Sequence, residues 1–269
     1  CRLLWPMVGD SGRKDNVAEE IWHNHRTIPR GFQSVARSGC AALAEGCMLQ
    51  CGNGGFGMGK VITVAQQKGG SGKTTIAVSL AVEFARRGLR VALLDTDPQG
   101  SLGRWFLSRR ERLGEAGMEF STASAWGVSY ECEKLKKLAD VVIVDTPPKV
   151  DADLRPALRE ADLVLVPVAA SMVDLWATDG VFDLIGREGR RAVIVLNRVK
   201  AGTRLGDEVA AAAALVGGVA GTTLGQRVVY AETLGQGQGA SEVRGQAAGE
   251  VSRLADEVQA LLGQNTSSR

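Results

Sequence analysis

The chain has 269 residues, 45% of them hydrophobic and 23% charged, with a formal net charge of +2. This is the composition of an ordinary soluble globular protein, long enough for one large domain or two small ones. The near-neutral balance supplies no global field toward nucleic acid, and no apolar run approaches the roughly 18–20 residues that span a bilayer.

Residues 1–57 read unlike the rest of the chain. They hold both histidines, His23 and His25, and four of the five cysteines, with Cys132 the one beyond them. A zinc site from His23, His25, Cys40, Cys47 and Cys51 is conceivable, but C-x6-C-x3-C lacks the tight C-x2-4-C pairs of most structural sites. No apolar core sits behind a basic start, so the segment does not read as a secretory signal. The expectation is a disordered or non-native extension, with translation beginning at Met58 and one domain over 58–269. A single remaining thiol fits a reducing compartment.

From Met58 onward apolar β-type runs recur at 60–65, 90–94, 140–144, 162–168 and 191–196. Stretches with helical spacing lie between them, such as Ile76, Leu80, Ala81 and Phe84. Short buried-type strands alternating with helices predict βαβ units and a parallel sheet. Right-handed connections then place helices on both faces of a doubly wound, three-layer α/β/α fold, with ligands beyond the carboxyl ends of the strands.

The first such end carries Gln67-Lys68-Gly69-Gly70-Ser71-Gly72-Lys73-Thr74-Thr75. Glycines let the backbone wrap a phosphate chain and aim N–H groups at it, and the helix N-terminus adds partial positive charge. Lys73 would reach the β/γ-phosphates and the Thr74 hydroxyl would bind Mg²⁺. Gln67 stands where G-x4-G-K-[ST] has its first glycine. The string from Lys68 to Thr75 instead resembles the deviant Walker A motif of the ParA/MinD superfamily of P-loop ATPases. The resemblance implies that Lys68 crosses a dimer interface to the phosphates held by the other subunit.

The second strand ends in Asp95-Thr-Asp97-Pro-Gln-Gly, and aspartates commonly open turns. The run is similar to the switch I segment of ParA proteins, which implies that Asp97 orients the attacking water and that Asp95 joins the Mg²⁺ shell. Asp145, after four apolar residues and before Thr-Pro-Pro148, sits as a Walker B carboxylate toward Mg²⁺. Asp162 to Val168, and then Ser171 to Thr178, resemble the strand and helix that come next in short ParA-like proteins, with Leu175 and Trp176 read as packing. Asn197 ends a strand that looks like the family's base-recognition strand, where the amide bonds adenine; a plain turn residue is the alternative.

In the last third, Gly225 to Glu232 resembles the family segment near the nucleotide and the DNA-facing surface. Arg227 is the first candidate DNA contact, with Arg204, Lys200 and Arg244 as neighbours. A last helix over 247–262 puts Val251, Leu254, Val258 and Leu261 or Leu262 on one face. Its acidic residues argue for core packing and against the basic membrane helix of the MinD branch.

The resemblance thus implies an ATP- and Mg²⁺-dependent homodimer in the cytoplasm, bound to the nucleoid through non-specific DNA contacts and released when a ParB-like or cargo-adaptor protein stimulates hydrolysis. A rival with the same chemistry positions a protein cargo, such as an organelle or chemoreceptor cluster. A more distant rival is an amide-synthetase-type enzyme, which needs a Cys nucleophile and a His; beyond Met58 there is no histidine and Cys132 stands alone. The lone cysteine also disfavours an iron–sulfur member.

Overall fold

A computed structural model describes residues 58–149 and 153–264. The candidate zinc residues and the expected extension lie outside the described residues. Among the described residues six strands run β1 (Lys60–Val64), β2 (Val91–Asp95), β3 (Glu119–Thr122), β4 (Val141–Asp145), β5 (Leu163–Ala169) and β6 (Ala192–Asn197). They form one sheet in the order β3-β2-β4-β1-β5-β6, and every pairing is parallel.

The strands of the sheet interior are apolar on both sides because both sides are covered. Along β4, Val141 and Ile143 enter one core while Val142 and Val144 enter the other, the period of two that a pleated strand imposes. The first core is closed by α1 (Lys73–Arg86), α2 (Ser101–Leu113), α8 (Val229–Gly235) and α9 (Gln246–Gly263). The second is closed by α3 (Val128–Leu138), α4 (Arg155–Glu160), α5 (Met172–Trp176), α6 (Asp179–Arg187) and α7 (Arg204–Val216). Val251, Leu254, Val258 and Leu262 of α9 are all buried, as the spacing predicted.

The chain leaves β1 through α1 on one face, passes over β4 to β2, and continues to the edge strand β3. It returns through α3 on the opposite face, and after β4 runs the other way to β5 and β6. The direction reverses between β1 and β4, which opens a crevice at their carboxyl ends. Register makes this concrete: Asp145 is paired with Val64 on one side and Asp95 on the other. The phosphate loop and two of the predicted carboxylates therefore emerge side by side.

One element was not predicted. β3 reads Glu-Phe-Ser-Thr, partly exposed throughout, so no apolar run announces it. It is held by pairing with β2 and by Phe120 stacking on Phe106, ring centroids 4.6 Å apart. Several of the predicted runs also start one residue early, and Asp95 and Asn197 are the last residues of their strands, as the sequence led one to expect.

Candidate functional site

The loop from Ala65 to Gly72 is fixed from below by side chains of neighbouring strands. Gln66 Nε2 donates to the Pro167 carbonyl at 3.2 Å, Thr146 Oγ1 to the Val64 carbonyl at 2.8 Å and Asn197 Nδ2 to the Ser71 carbonyl at 3.0 Å. Gly70 and Gly72 take φ of 76° and 99°, left-handed values that other residues resist. At Gly72 the space is closed as well, since a Cβ would lie 2.1 Å from Asn197 Nδ2. The tight loop ends on α1 without a side-chain cap and without an acidic residue in the first turn. The first amides of α1 are thus left for an anion.

Lys73 is buried against this loop, and desolvation lowers its pKa although the Asp145 and Asp97 carboxylates pull the other way. Thr74 Oγ1 donates to Asp145 Oδ2 at 2.6 Å. Asp145 is only 1% exposed, and burial pushes its pKa up to about 7, with the Thr74 hydrogen bond opposing. Asp145 Oδ1 and Ser71 Oγ are buried and have no hydrogen-bond partner in the protein. Buried polar atoms are normally satisfied. An unpaired carboxylate oxygen beside a threonine hydroxyl fits a hard divalent cation, and a phosphate-bearing ligand would meet the serine and the lysine.

Asp97 lines the same cavity of about 270 Å³ as Gly69, Lys73, Thr74 and Thr75. Its Oδ1 accepts the Gln99 amide at 2.9 Å, a turn that keeps the carboxylate at the cavity edge. A second cavity of about 600 Å³ adjoins it, sharing Thr75, Arg198 and Leu234 and walled by Asn197, Gln226 and Tyr230. A smaller space lined by the phosphate loop and a larger one with room for a nucleoside base therefore adjoin.

Three expected site residues also make bonds within the protein. Asp95 was expected in a metal shell. Its Oδ1 accepts the Asp97 amide and its Oδ2 the Gly103 amide, both at 3.0 Å, so it ties β2 to its following turn and to α2. Asn197 does wall the base-sized cavity, but its amide is engaged with backbone: Nδ2 with Ser71 and Oδ1 with the Arg198 amide at 2.8 Å. The second bond accompanies the left-handed φ of 53° at Arg198. Arg227, expected to face DNA, pairs with Glu250 while its side chain stays 33% exposed, with Nε and Nη2 at 3.0 and 2.6 Å from Oε1. Arg204, by contrast, has a side chain 91% exposed, paired only with Glu208 one turn on, and Lys200 and Arg244 are exposed too.

Lys68 has a partner that the sequence did not reveal. Its Nζ lies 2.8 Å from Asp174 Oδ2, and Ser171 Oγ donates to the same oxygen at 2.5 Å. Burial alone would raise the Asp174 pKa, but the Lys68 and Ser171 hydrogen bonds and the Lys68 and Arg198 charges outweigh it, so the pKa is lowered. Ser-x-x-Asp does signal a helix start, and Ser171 caps α5 by accepting the Asp174 amide. Nothing local signals the lysine far upstream. Leu175 is buried as predicted, whereas Trp176 is 63% exposed and Val173 59%, so this short helix shows apolar side chains beside the ion pair.

Among the described residues no helix is long and apolar enough to cross a membrane, and no cluster of three His, Cys, Asp or Glu could hold a metal by itself. Cys132 is buried in the second core, where burial pushes its thiol up to about 12, far from a reactive thiolate.

Comparison with known proteins gives a family profile described as the CobQ/CobB/MinD/ParA nucleotide binding domain, matched over residues 62–237. The maintenance of carboxysome distribution protein A of Halothiobacillus neapolitanus is 32% identical over 145 residues, covering 52% of this chain and 66% of that protein. The chromosome-partitioning ATPase Soj of Thermus thermophilus is 35% identical over 150 residues, covering 46% of this chain and 59% of its own. The matches thus span less than two thirds of these relatives. Among solved structures, the septum site-determining protein MinD complexed with Mg-ADP from Pyrococcus horikoshii OT3 superposes with a TM-score of 0.65 at 19% identity. That match covers 78% of this chain and all of the other, and is a likeness of fold.

Proposed function

Because the chain belongs to the CobQ/CobB/MinD/ParA nucleotide-binding domain family, we propose that it is a dimerising, Mg²⁺-dependent ATPase that acts as a partition switch on DNA in the cytoplasm. The observation that carries the ATP site is the phosphate loop over an uncapped helix start, with a buried lysine and two buried oxygens lacking protein partners.

The residues divide the work by position. Amides of Gly70 to Thr75 and the Lys73 ammonium hold the phosphate chain and neutralise its charge. Thr74 and Asp145 would hold the cation, which would supply neutralisation of phosphate charge. Asp97, at the cavity edge, orients water for attack on the γ-phosphate, and most of what a protein can add to phosphoryl transfer is such alignment. Lys68 leaves Asp174 and reaches the phosphates of a second subunit, which makes dimerisation depend on ATP. Exposed Val173 and Trp176 beside that ion pair support a face that a second copy covers. In the ATP state the dimer binds DNA without sequence preference through exposed arginines and lysines near Arg204, and a ParB-like partner stimulates hydrolysis and release.

A second reading keeps the chemistry and replaces DNA cargo with a protein assembly. It is favoured by the 32% identity to a carboxysome-distribution protein. Co-sedimentation with DNA in ATP, ADP or no nucleotide, at low and high salt, tests the first reading. Pelleting only with ATP, weakened by salt, is expected. Absence of ATP-dependent pelleting at low salt refutes DNA partition.

A further inference from the structure

The structure assigns to Glu250, on the last described helix, the positioning of the wall of the base-sized cavity, so that this helix sets how tightly the nucleoside end of the ligand is held. The inference rests on the ATP-site reading above.

Glu250 is 7% exposed and points from α9 into the segment after β6. Its two oxygens accept four hydrogen bonds. Oε1 takes both Arg227 donors; Oε2 takes the Gly225 amide at 3.1 Å and the Tyr230 hydroxyl at 2.8 Å. Gly225, Arg227 and Tyr230 all line the 600 Å³ cavity. One carboxylate therefore gathers a backbone amide, a guanidinium and a phenol of the same wall. Burial opposes its charge, yet the Arg227, Gly225 and Tyr230 bonds together hold its pKa below the usual carboxylate value, so it works ionised.

The arrangement is more than a helix fastening. Without Glu250 the Arg227 guanidinium loses its counter-charge at the rim of the cavity. Tyr230, whose pKa is raised by burial and by the Glu250 carboxylate, loses the acceptor that orients its ring. A second acid on the same helix, Glu257, accepts the Gly221 amide at 2.8 Å and the Thr222 hydroxyl, which anchors the same segment outside the cavity. That leaves the segment tied down when Glu250 is changed, and makes the effect local. α9 is in turn bound to α1, since Arg87 donates to Asp256, Gln259 and the Ser252 carbonyl. The helix that shapes the base wall is thereby fixed to the helix that carries the phosphate loop.

The test compares two probes on the full chain: a fluorescent ATP analogue, and inorganic tripolyphosphate as its competitor. Glu250→Ala should weaken ATP binding ~10-fold while tripolyphosphate binding stays within about twofold of the parent. Glu250→Gln, which keeps an acceptor and loses the charge, and Tyr230→Phe, which loses one bond, should fall between. The two milder variants carry the test if the alanine chain does not fold. Equal weakening of both probes would mean that Glu250 only holds the fold, and unchanged ATP binding would mean that the wall does not depend on it; each overturns the assignment. A parent chain that binds tripolyphosphate and not ATP would sink the ATP-site reading itself, and the inference with it.

Discussion

If Lys68 serves a neighbour's phosphates, as proposed above, it must first leave Asp174, 2.8 Å away, and the ion pair would then oppose dimerisation. Asp174→Asn removes the charge and leaves the shape, and the Asp174 amide can still bond Ser171 Oγ, 3.1 Å away, so the cap of α5 survives. At 2.8 Å, with an effective dielectric constant of about 20, the Coulomb attraction is on the order of 6 kcal/mol before solvent is counted. The lysine side chain is 39% exposed and the aspartate 13%, and measured exposed pairs retain only about 0.2–1 kcal/mol. About 1 kcal/mol per subunit is the discounted figure. Two lysines are released per dimer, giving about 2 kcal/mol, or ~30-fold in the dimer dissociation constant. Sedimentation velocity with a non-hydrolysable ATP analogue measures that constant directly, and the variant should dimerise more tightly with unchanged monomer affinity for nucleotide. Pairing lowers the Asp174 pKa, so the pair is present above the ordinary carboxylate range and lost only as pH falls through the depressed value. The difference between parent and variant should therefore be the same at about pH 6 and about pH 8. A dimer constant that is unchanged, or weakened, would refute the idea that Asp174 restrains Lys68.

Two further substitutions probe the loop and the carboxylate beneath it. Gly72→Ala should abolish nucleotide binding in a fluorescence titration, because the new methyl meets Asn197 Nδ2 at 2.1 Å and sits at a φ of 99°. Adding Asn197→Ala should recover part of the binding, leaving about 1–2 kcal/mol of backbone strain, and no recovery would show that the contact is not the cause. Asp145→Asn should raise the melting temperature of the ligand-free protein at about pH 8 while removing stabilisation by Mg-ATP. A buried carboxylate whose pKa is pushed up to about 7 costs about 4 kcal/mol when ionised, and the unpaired amide offsets about 1–3 kcal/mol of the gain. A lower melting temperature without ligand would contradict that balance.

The sheet and the loop were legible because their signals are local. A buried strand must be apolar on both sides, and a phosphate loop must spell its glycines and lysine in one stretch, so residues 60–75 could be read without neighbours. β3 was not legible, since a short edge strand of Glu, Phe, Ser and Thr is half solvated and needs no apolar run. The Lys68–Asp174 and Arg227–Glu250 pairs were hidden for another reason. They join residues distant in sequence, and an arginine in a string looks the same whether it faces solvent or a buried glutamate. Trp176 went astray in a similar way, because a tryptophan beside buried Leu175 reads as core until its exposure is seen.

Within this crevice, Asp145 and Ser71 are set apart by a buried polar atom that no protein group satisfies. Asp95, Asn197 and Arg227 have residue types that suit a metal, a base and a nucleic acid, yet each is paired with protein groups. Asp145 looks less distinctive in the sequence, a single acid at the end of a hydrophobic strand. In the fold it is the carboxylate left with an unpaired buried oxygen, and Ser71 of the phosphate loop carries another. Among the described residues the remaining buried side-chain atom without a partner is Ser241 Oγ, in the turn Ala240–Glu242. Leaving such atoms unpaired costs about 1–3 kcal/mol each, and a ligand that reaches the start of α1 would recover part of that cost. The centre of the candidate site is therefore marked less by acidity than by the two buried oxygens, Asp145 Oδ1 and Ser71 Oγ, that the rest of the protein leaves without a partner.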